Sequence, residues 1–150
     1  MWRFGLLVFV ILVAALVLKP LLERGEPVGA DAVAVVDGDT IRARGKTIRL
    51  VGVDTPEVGS HARCDHERAL AARATARLRQ LVAQEDLDLR LVPCACPRGT
   101  EGTHSCNYGR ACGVLRAGGR DVADILIAER PARPYPCGRA SCPPRSDWCS

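Results

Sequence analysis

Two pieces within residues 37–57 together hold four carboxylates and an arginine: Asp37-Gly38-Asp39-Thr40, then Arg49-Leu50-Val51-Gly52-Val53-Asp54-Thr55-Pro56-Glu57. Those residue types suit a hard cation and a phosphate ester. Asp39 and Asp54 offer the carboxylate oxygens that Ca²⁺ takes. Glu57 has the chemistry of a general base acting on water, and the planar donor fork of Arg49 matches phosphate. Either half alone has a plain structural reading, since Asp-Gly is a hairpin-turn pair and Asp-Thr-Pro-Glu is a turn leaving a strand. Their combination says more. Both halves fall at the ends of adjacent expected strands, so Asp39, Asp54 and Glu57 can converge on one patch, where a bound cation would relieve the repulsion among them. A second arginine, Arg110, follows in Tyr108-Gly109-Arg110, a loop in which Gly109 permits an unusual backbone.

The elements that must position these residues are legible in the hydrophobic pattern. Residues 32–36 form a short apolar strand, residues 40–44 an alternating one after the Asp-Gly turn, and residues 47–53 a third, giving a three-stranded meander. From residue 65 or 66 to 83 the period becomes helical, with Leu70, Ala74, Leu78, Leu81 and Val82 on one face. Leu87, Leu89 and Leu91 alternate along a fourth strand over residues 87–92. A Cys/Pro/Gly loop over residues 93–110 then leads to a fifth strand at 113–116. A second helix is expected over residues 121–129, with Asp121 as its cap and Val122, Ile125 and Leu126 inward. From Pro131 the chain should be irregular. Five strands with a helix between the third and fourth predict an α+β, mainly β fold, a five-stranded Greek-key barrel of the OB type with two helices. The expected organisation is an N-terminal helix over residues 1–22, a linker over 23–30, the domain over 31–136 and a Cys-rich tail over 137–150.

Residues 4–18 carry no charge and lie between Arg3 and Lys19-Pro20. Two readings stand: an uncleaved signal anchor spanning a membrane, with Leu21 and Leu22 extending it past Lys19, or a signal peptide cleaved near Val28-Gly29-Ala30. Eight cysteines, at positions 64, 94, 96, 106, 112, 137, 142 and 149, favour disulfides and hence a domain facing outside the cytoplasm. The alternative is structural zinc on Cys94, Cys96, His104 and Cys106, with His61, Cys64 and His66 as a second small cluster. No cysteine pair has the two-residue spacing of a zinc knuckle.

The net charge of +4 is compatible with a polyanionic partner without demonstrating one. Nineteen of the 21 basic residues are Arg, a uniform excess that points to coding bias before phosphate recognition. Only 4% of residues are aromatic, which argues against a broad base-stacking platform, so any recognition of nucleic acid should lean on the backbone.

The Asp-Gly-Asp-Thr turn, the Arg49-to-Glu57 segment and the later Tyr108-Gly109-Arg110 occur in the order found in staphylococcal-nuclease-like (thermonuclease) domains, which residues 31–136 resemble. The resemblance implies Asp39 and Asp54 as calcium-binding carboxylates with the Thr55 carbonyl beside them, Arg49 and Arg110 as phosphate-binding arginines, and Glu57 as the base. Tyr108 and Tyr135 are the substrate-binding residues it suggests. It further implies calcium-dependent endonucleolytic hydrolysis of DNA and RNA, leaving 3′-phosphate ends, with little sequence specificity. The sequence departs from the family at Cys106, where an Asp often stands, and in lacking the family's long C-terminal helix. A bridge between Cys106 and Cys112 would close a small loop around Arg110. The expectation is therefore a monomeric, calcium-dependent nuclease, membrane-anchored or secreted. The alternatives are a non-catalytic OB-type module binding nucleic acid or protein, and a zinc-stabilised binding domain.

Overall fold

The computed structural model describes residues 25–84 and 86–150. The anchor or signal helix expected over residues 1–22 lies outside them. Among the described residues no helix is long and apolar enough to cross a membrane.

The fold is α+β, a mixed, curled half-barrel sheet of six strands with two helices. Strands β1 (Glu26–Pro27), β2 (Val33–Val35), β3 (Thr40–Ala43) and β4 (Lys46–Leu50) come first. They are followed by β5 (Gly52–Asp54), helix α1 (Asp65–Val82), β6 (Leu87–Val92), β7 (Ala111–Ala117), β8 (Arg120–Asp121), helix α2 (Val122–Ala128) and β9 (Arg133–Tyr135). The main sheet runs β1-β6-β7-β4-β3-β2, with β8 on β7. All its pairings are antiparallel except β4 with β7, which sets Arg49 beside Cys112.

The meander of β2, β3 and β4 forms as the alternation predicts. The expected third strand divides, however, because Gly52 takes a left-handed φ of 80° and turns Asp54 out of the main sheet into a separate pair with β9. That pairing corrects the expectation of an irregular chain after Pro131. Pro134 stands opposite Val53 in this two-stranded ribbon, where a missing N–H is tolerated. Glu26 and Pro27, read as linker, pair with Leu89 and Asp88.

Helix α1 lays Ala71, Ala74, Leu78, Leu81 and Val82 into the core, with Leu70 half-buried at the edge of the stripe. On the sheet side Ile41, Ile48, Leu50, Leu89 and Leu115 meet it, and Val122, Ile125 and Leu126 of α2 close the end. Asp121 caps α2 by accepting from Ala123 N at 2.9 Å. Leu91, expected beside Leu87 and Leu89, is exposed.

All eight cysteines are bridged: Cys64–Cys149, Cys94–Cys112, Cys96–Cys106 and Cys137–Cys142. No zinc set can then form from Cys94, Cys96, His104 and Cys106. The bridge imagined between Cys106 and Cys112 is replaced by two that tie the 93–110 loop to itself and to β7. Four disulfides belong to an oxidising environment outside the cytosol.

Candidate active site

Asp39 leaves the β2–β3 turn immediately before Thr40, whose register partner on β4 is Arg49. The pairing continues as Leu50 N donates to Asp39 O at 2.8 Å, fixing Asp39 against the end of β4. Gly38 is needed there for space, since its φ is not left-handed. A Cβ on it would lie 2.8 Å from Ala74 Cβ and 2.8 Å from Thr55 Oγ1, so helix, turn and Thr55 meet at that glycine.

The Asp39 carboxylate is almost wholly buried, and four donors reach it. Thr55 N donates at 3.1 Å and Thr55 Oγ1 at 2.7 Å to one oxygen; Thr40 Oγ1 donates to the other at 3.1 Å, where Arg49 also forms an ion pair. Arg49 donates to Val53 O at 3.1 Å and lies 3.9 Å from Asp54. Burial, then the charges of Arg145 and Arg110, bring its pKa down to about 10. Asp54 and Asp37 act in the opposite direction, so both signs of charge meet around Arg49.

Asp54, 0% exposed, ends β5. One of its oxygens accepts from Arg145 Nε at 2.7 Å and the other from Ser146 N at 2.9 Å. The Thr55 carbonyl accepts from a terminal nitrogen of Arg145 at 2.7 Å, and the opposite terminal nitrogen pairs with Glu57. The loop carrying Glu57 is held from behind by Glu67 of α1. This buried carboxylate accepts from Glu57 N at 3.3 Å and from Arg63 N at 2.8 Å.

Arg110 follows a turn in which Asn107 and Tyr108, both non-glycine, take φ of 52° and 57°. Such left-handed conformations cost roughly 1 kcal/mol each or more and are kept where the surroundings enforce them. The enforcement is visible: Arg110 Nε donates to Asn107 O at 3.1 Å and a terminal nitrogen to Asn107 Oδ1 at 2.8 Å. Another reaches Thr40 Oγ1 at 3.4 Å, linking Arg110 to the residue beside Asp39.

These groups share one open cleft of about 1540 Å³, lined among others by Asp39, Arg49, Glu57, Tyr108, Arg110 and Tyr135. Thr55 is on its wall, so seven of the eight residues singled out from sequence line it. Asp54 does not: it is wholly buried and joins the site through Arg145 and Arg49. Tyr108 is 72% exposed at the rim, its ring 5.6 Å from the Arg110 guanidinium carbon. Tyr135 is less free, donating its hydroxyl to Pro143 O at 2.8 Å. Burial, then the charge of Asp54, push its pKa up.

Sequence reasoning missed Arg145 and Glu67. Glu67 carried a signal in hindsight, since a carboxylate amid the inward positions of an amphipathic helix needs partners. Arg145, in the tail, carried none. No protein-family model matches this chain, and no curated protein matches it.

Proposed function

We propose that this domain hydrolyses phosphodiester bonds of DNA and RNA in a calcium-dependent reaction. The observation that carries the reading is convergence: Asp39, the 49–57 segment and Arg110 bring Asp39, Arg49, Thr55, Glu57 and Arg110 to one cleft, with Asp54 buried beside them, residue types suited to a cation, a phosphate and an attacking water. The sheet is read more finely as the five-stranded OB-type Greek-key barrel of thermonuclease-like domains, built from β2, β3, β4, β6 and β7.

The donor set fits a hard divalent cation. Two carboxylates and a backbone carbonyl are the oxygens Ca²⁺ prefers, and a guanidinium already rests against Asp54 and the Thr55 carbonyl as a cationic stand-in. Asp39, Asp54 and the Thr55 carbonyl would hold the ion, which when bound supplies Lewis-acid polarisation of a phosphoryl oxygen. Arg49 and Arg110 bind the phosphate diester and neutralise charge that grows on its oxygens. Glu57, at the cleft edge, takes the proton from the attacking water. Tyr108, exposed beside Arg110, contacts the nucleotide, and Tyr135 borders the same cleft. With so few aromatics, the contact runs along phosphates and is sequence-tolerant. The protein is taken to act as a monomer outside the cytoplasm, anchored by residues 1–22 or secreted after their removal.

The test is cleavage of single-stranded DNA by the full-length, fully oxidised chain in saturating Ca²⁺ or in chelator, beside Glu57→Gln. Scission that needs calcium and falls at least about 10²-fold in the variant supports the reading. A second reading, a non-catalytic nucleic-acid or protein-binding module, is favoured by one observation: Asp39, Asp54 and Glu57 all have partners within the chain. A folded protein that binds single-stranded DNA yet never cleaves it, at any calcium concentration, selects that alternative.

A further inference from the structure

The irregular tail after β9 does more than cover the domain. Arg145 spends all three of its nitrogens on the acceptors a nuclease would need free: Asp54, the Thr55 carbonyl and Glu57. Ser146 N takes the remaining Asp54 oxygen. We propose that residues 143–149 are an internal inhibitor, with the Arg145 guanidinium occupying the place of the divalent cation and pinning Glu57. The inference rests on the nuclease reading for its consequence, while the competition between guanidinium and cation is testable without it.

The segment is held on both sides of Arg145. Upstream, Tyr135 donates to Pro143 O, and Pro143-Pro144 fix two consecutive φ angles before the arginine. Downstream, Asp147 accepts from Arg63 at 2.8 Å, and Arg133 donates to Asp147 O at 2.9 Å. Arg133 also lies 4.3 Å over the ring of Trp148. Cys149 is bridged to Cys64, the N-cap of α1. The bridge is the covalent part of the latch, and Arg145 is the part that enters the site.

Two features make the contact reversible. Arg145 and Glu57 are 42% and 39% exposed, so water competes for their pairing. The buried indole N–H of Trp148 has no acceptor, and water would supply one on release. A Ca²⁺ ion held by Asp54 and the Thr55 carbonyl would need the space between them that the guanidinium fills, and the two positive charges would repel at that distance. Cation affinity is therefore reduced by the fraction of molecules whose tail is docked.

The test is calorimetric titration of CaCl₂ into the full-length oxidised chain in detergent, comparing wild type with Arg145→Ala. Cys64→Ser/Cys149→Ser opens the latch separately and keeps a capping side chain on α1. Arg139→Ala removes a neighbouring cleft charge that touches none of these acceptors. Arg145→Ala and the double serine variant should bind calcium at least about tenfold more tightly than wild type, and Arg139→Ala should not. Equal affinity of Arg145→Ala and wild type, an equal gain in Arg139→Ala, or no calcium binding by any variant overturns the proposal. Single-stranded DNA cleavage by the same samples separates the two readings. Tighter calcium binding without cleavage keeps the inhibitor and discards the nuclease. Equal binding with equal cleavage does the reverse.

Discussion

Replacing Gly38 by alanine tests whether the turn carrying Asp39 is fixed by close approach. Gly38 does not adopt a left-handed φ, so on backbone grounds alone alanine should stabilise the fold by about 0.4–1 kcal/mol through the unfolded chain. Space says the opposite. The new methyl would meet Ala74 Cβ and Thr55 Oγ1 at 2.8 Å and Thr55 Cβ at 2.9 Å, against roughly 3.5–4.0 Å for comfortable carbon contact. None of these atoms is the free end of a long side chain. Either α1 retreats by most of an ångström, or Thr55 turns away and gives up its 2.7 Å bond to Asp39. Overpacking costs about 1–3 kcal/mol, and a hydrogen bond to a charged group is worth about 1.5–3 kcal/mol. Less the backbone gain, either cost leaves a net loss of roughly 1–2 kcal/mol, near 5 °C in melting temperature for a domain of this size. Urea titration and a thermal melt of the oxidised protein measure it. A variant as stable as wild type, or more so, refutes the packing argument because the competing term has the opposite sign.

Other outcomes follow from the same contacts. Opening the Cys64–Cys149 bridge with paired serines releases a constraint across a sequence separation of 85. Loop-closure entropy assigns that constraint about 4 kcal/mol after allowing for the nested bridges, measurable as the urea-unfolding difference from wild type. The Cys149 backbone N–H, with Arg63 adding to it, holds the Asp147 carboxyl below its ordinary 3.8. Because the docked-state value is depressed, this tie is fully present above 3.8 and is lost as pH falls through the lowered value. Trp148 emission, followed in a Trp2→Phe background, should therefore show an acid step that Asp147→Asn removes. Arg110→Lys keeps the charge but loses the fork held by Asn107, and cleavage of single-stranded DNA should fall at least about 10²-fold with the melting temperature little changed.

Much of the fold was readable because local pattern and tertiary role agree. The alternation of residues 87–92 gave the bounds of β6 though Leu91 is exposed, and Ala74, Leu78, Leu81 and Val82 of the α1 stripe and the Asp121 cap stood where expected. Asp39, Arg49 and Asp54, singled out from sequence, are brought close because they fall at strand ends. What failed depended on distant partners. The break at Gly52 serves the pairing of β5 with β9, and a strand containing Pro134 has no pattern of its own. Disulfide connectivity is a property of the folded chain. Arg145 meets Asp54 across 91 positions, and nothing in a Pro-Pro-Arg tail announces which carboxylate it will find.

Calcium-dependent hydrolysis held back by the tail is tested by following end-labelled single-stranded DNA with Arg145→Ala, with and without Glu57→Gln added, across a calcium titration. Calcium-dependent scission by the single variant is expected at lower calcium than wild type requires, with near-complete loss when Glu57 is also changed. Scission that is indifferent to calcium or survives Glu57→Gln would contradict it, as would none from a folded Arg145→Ala protein that binds calcium.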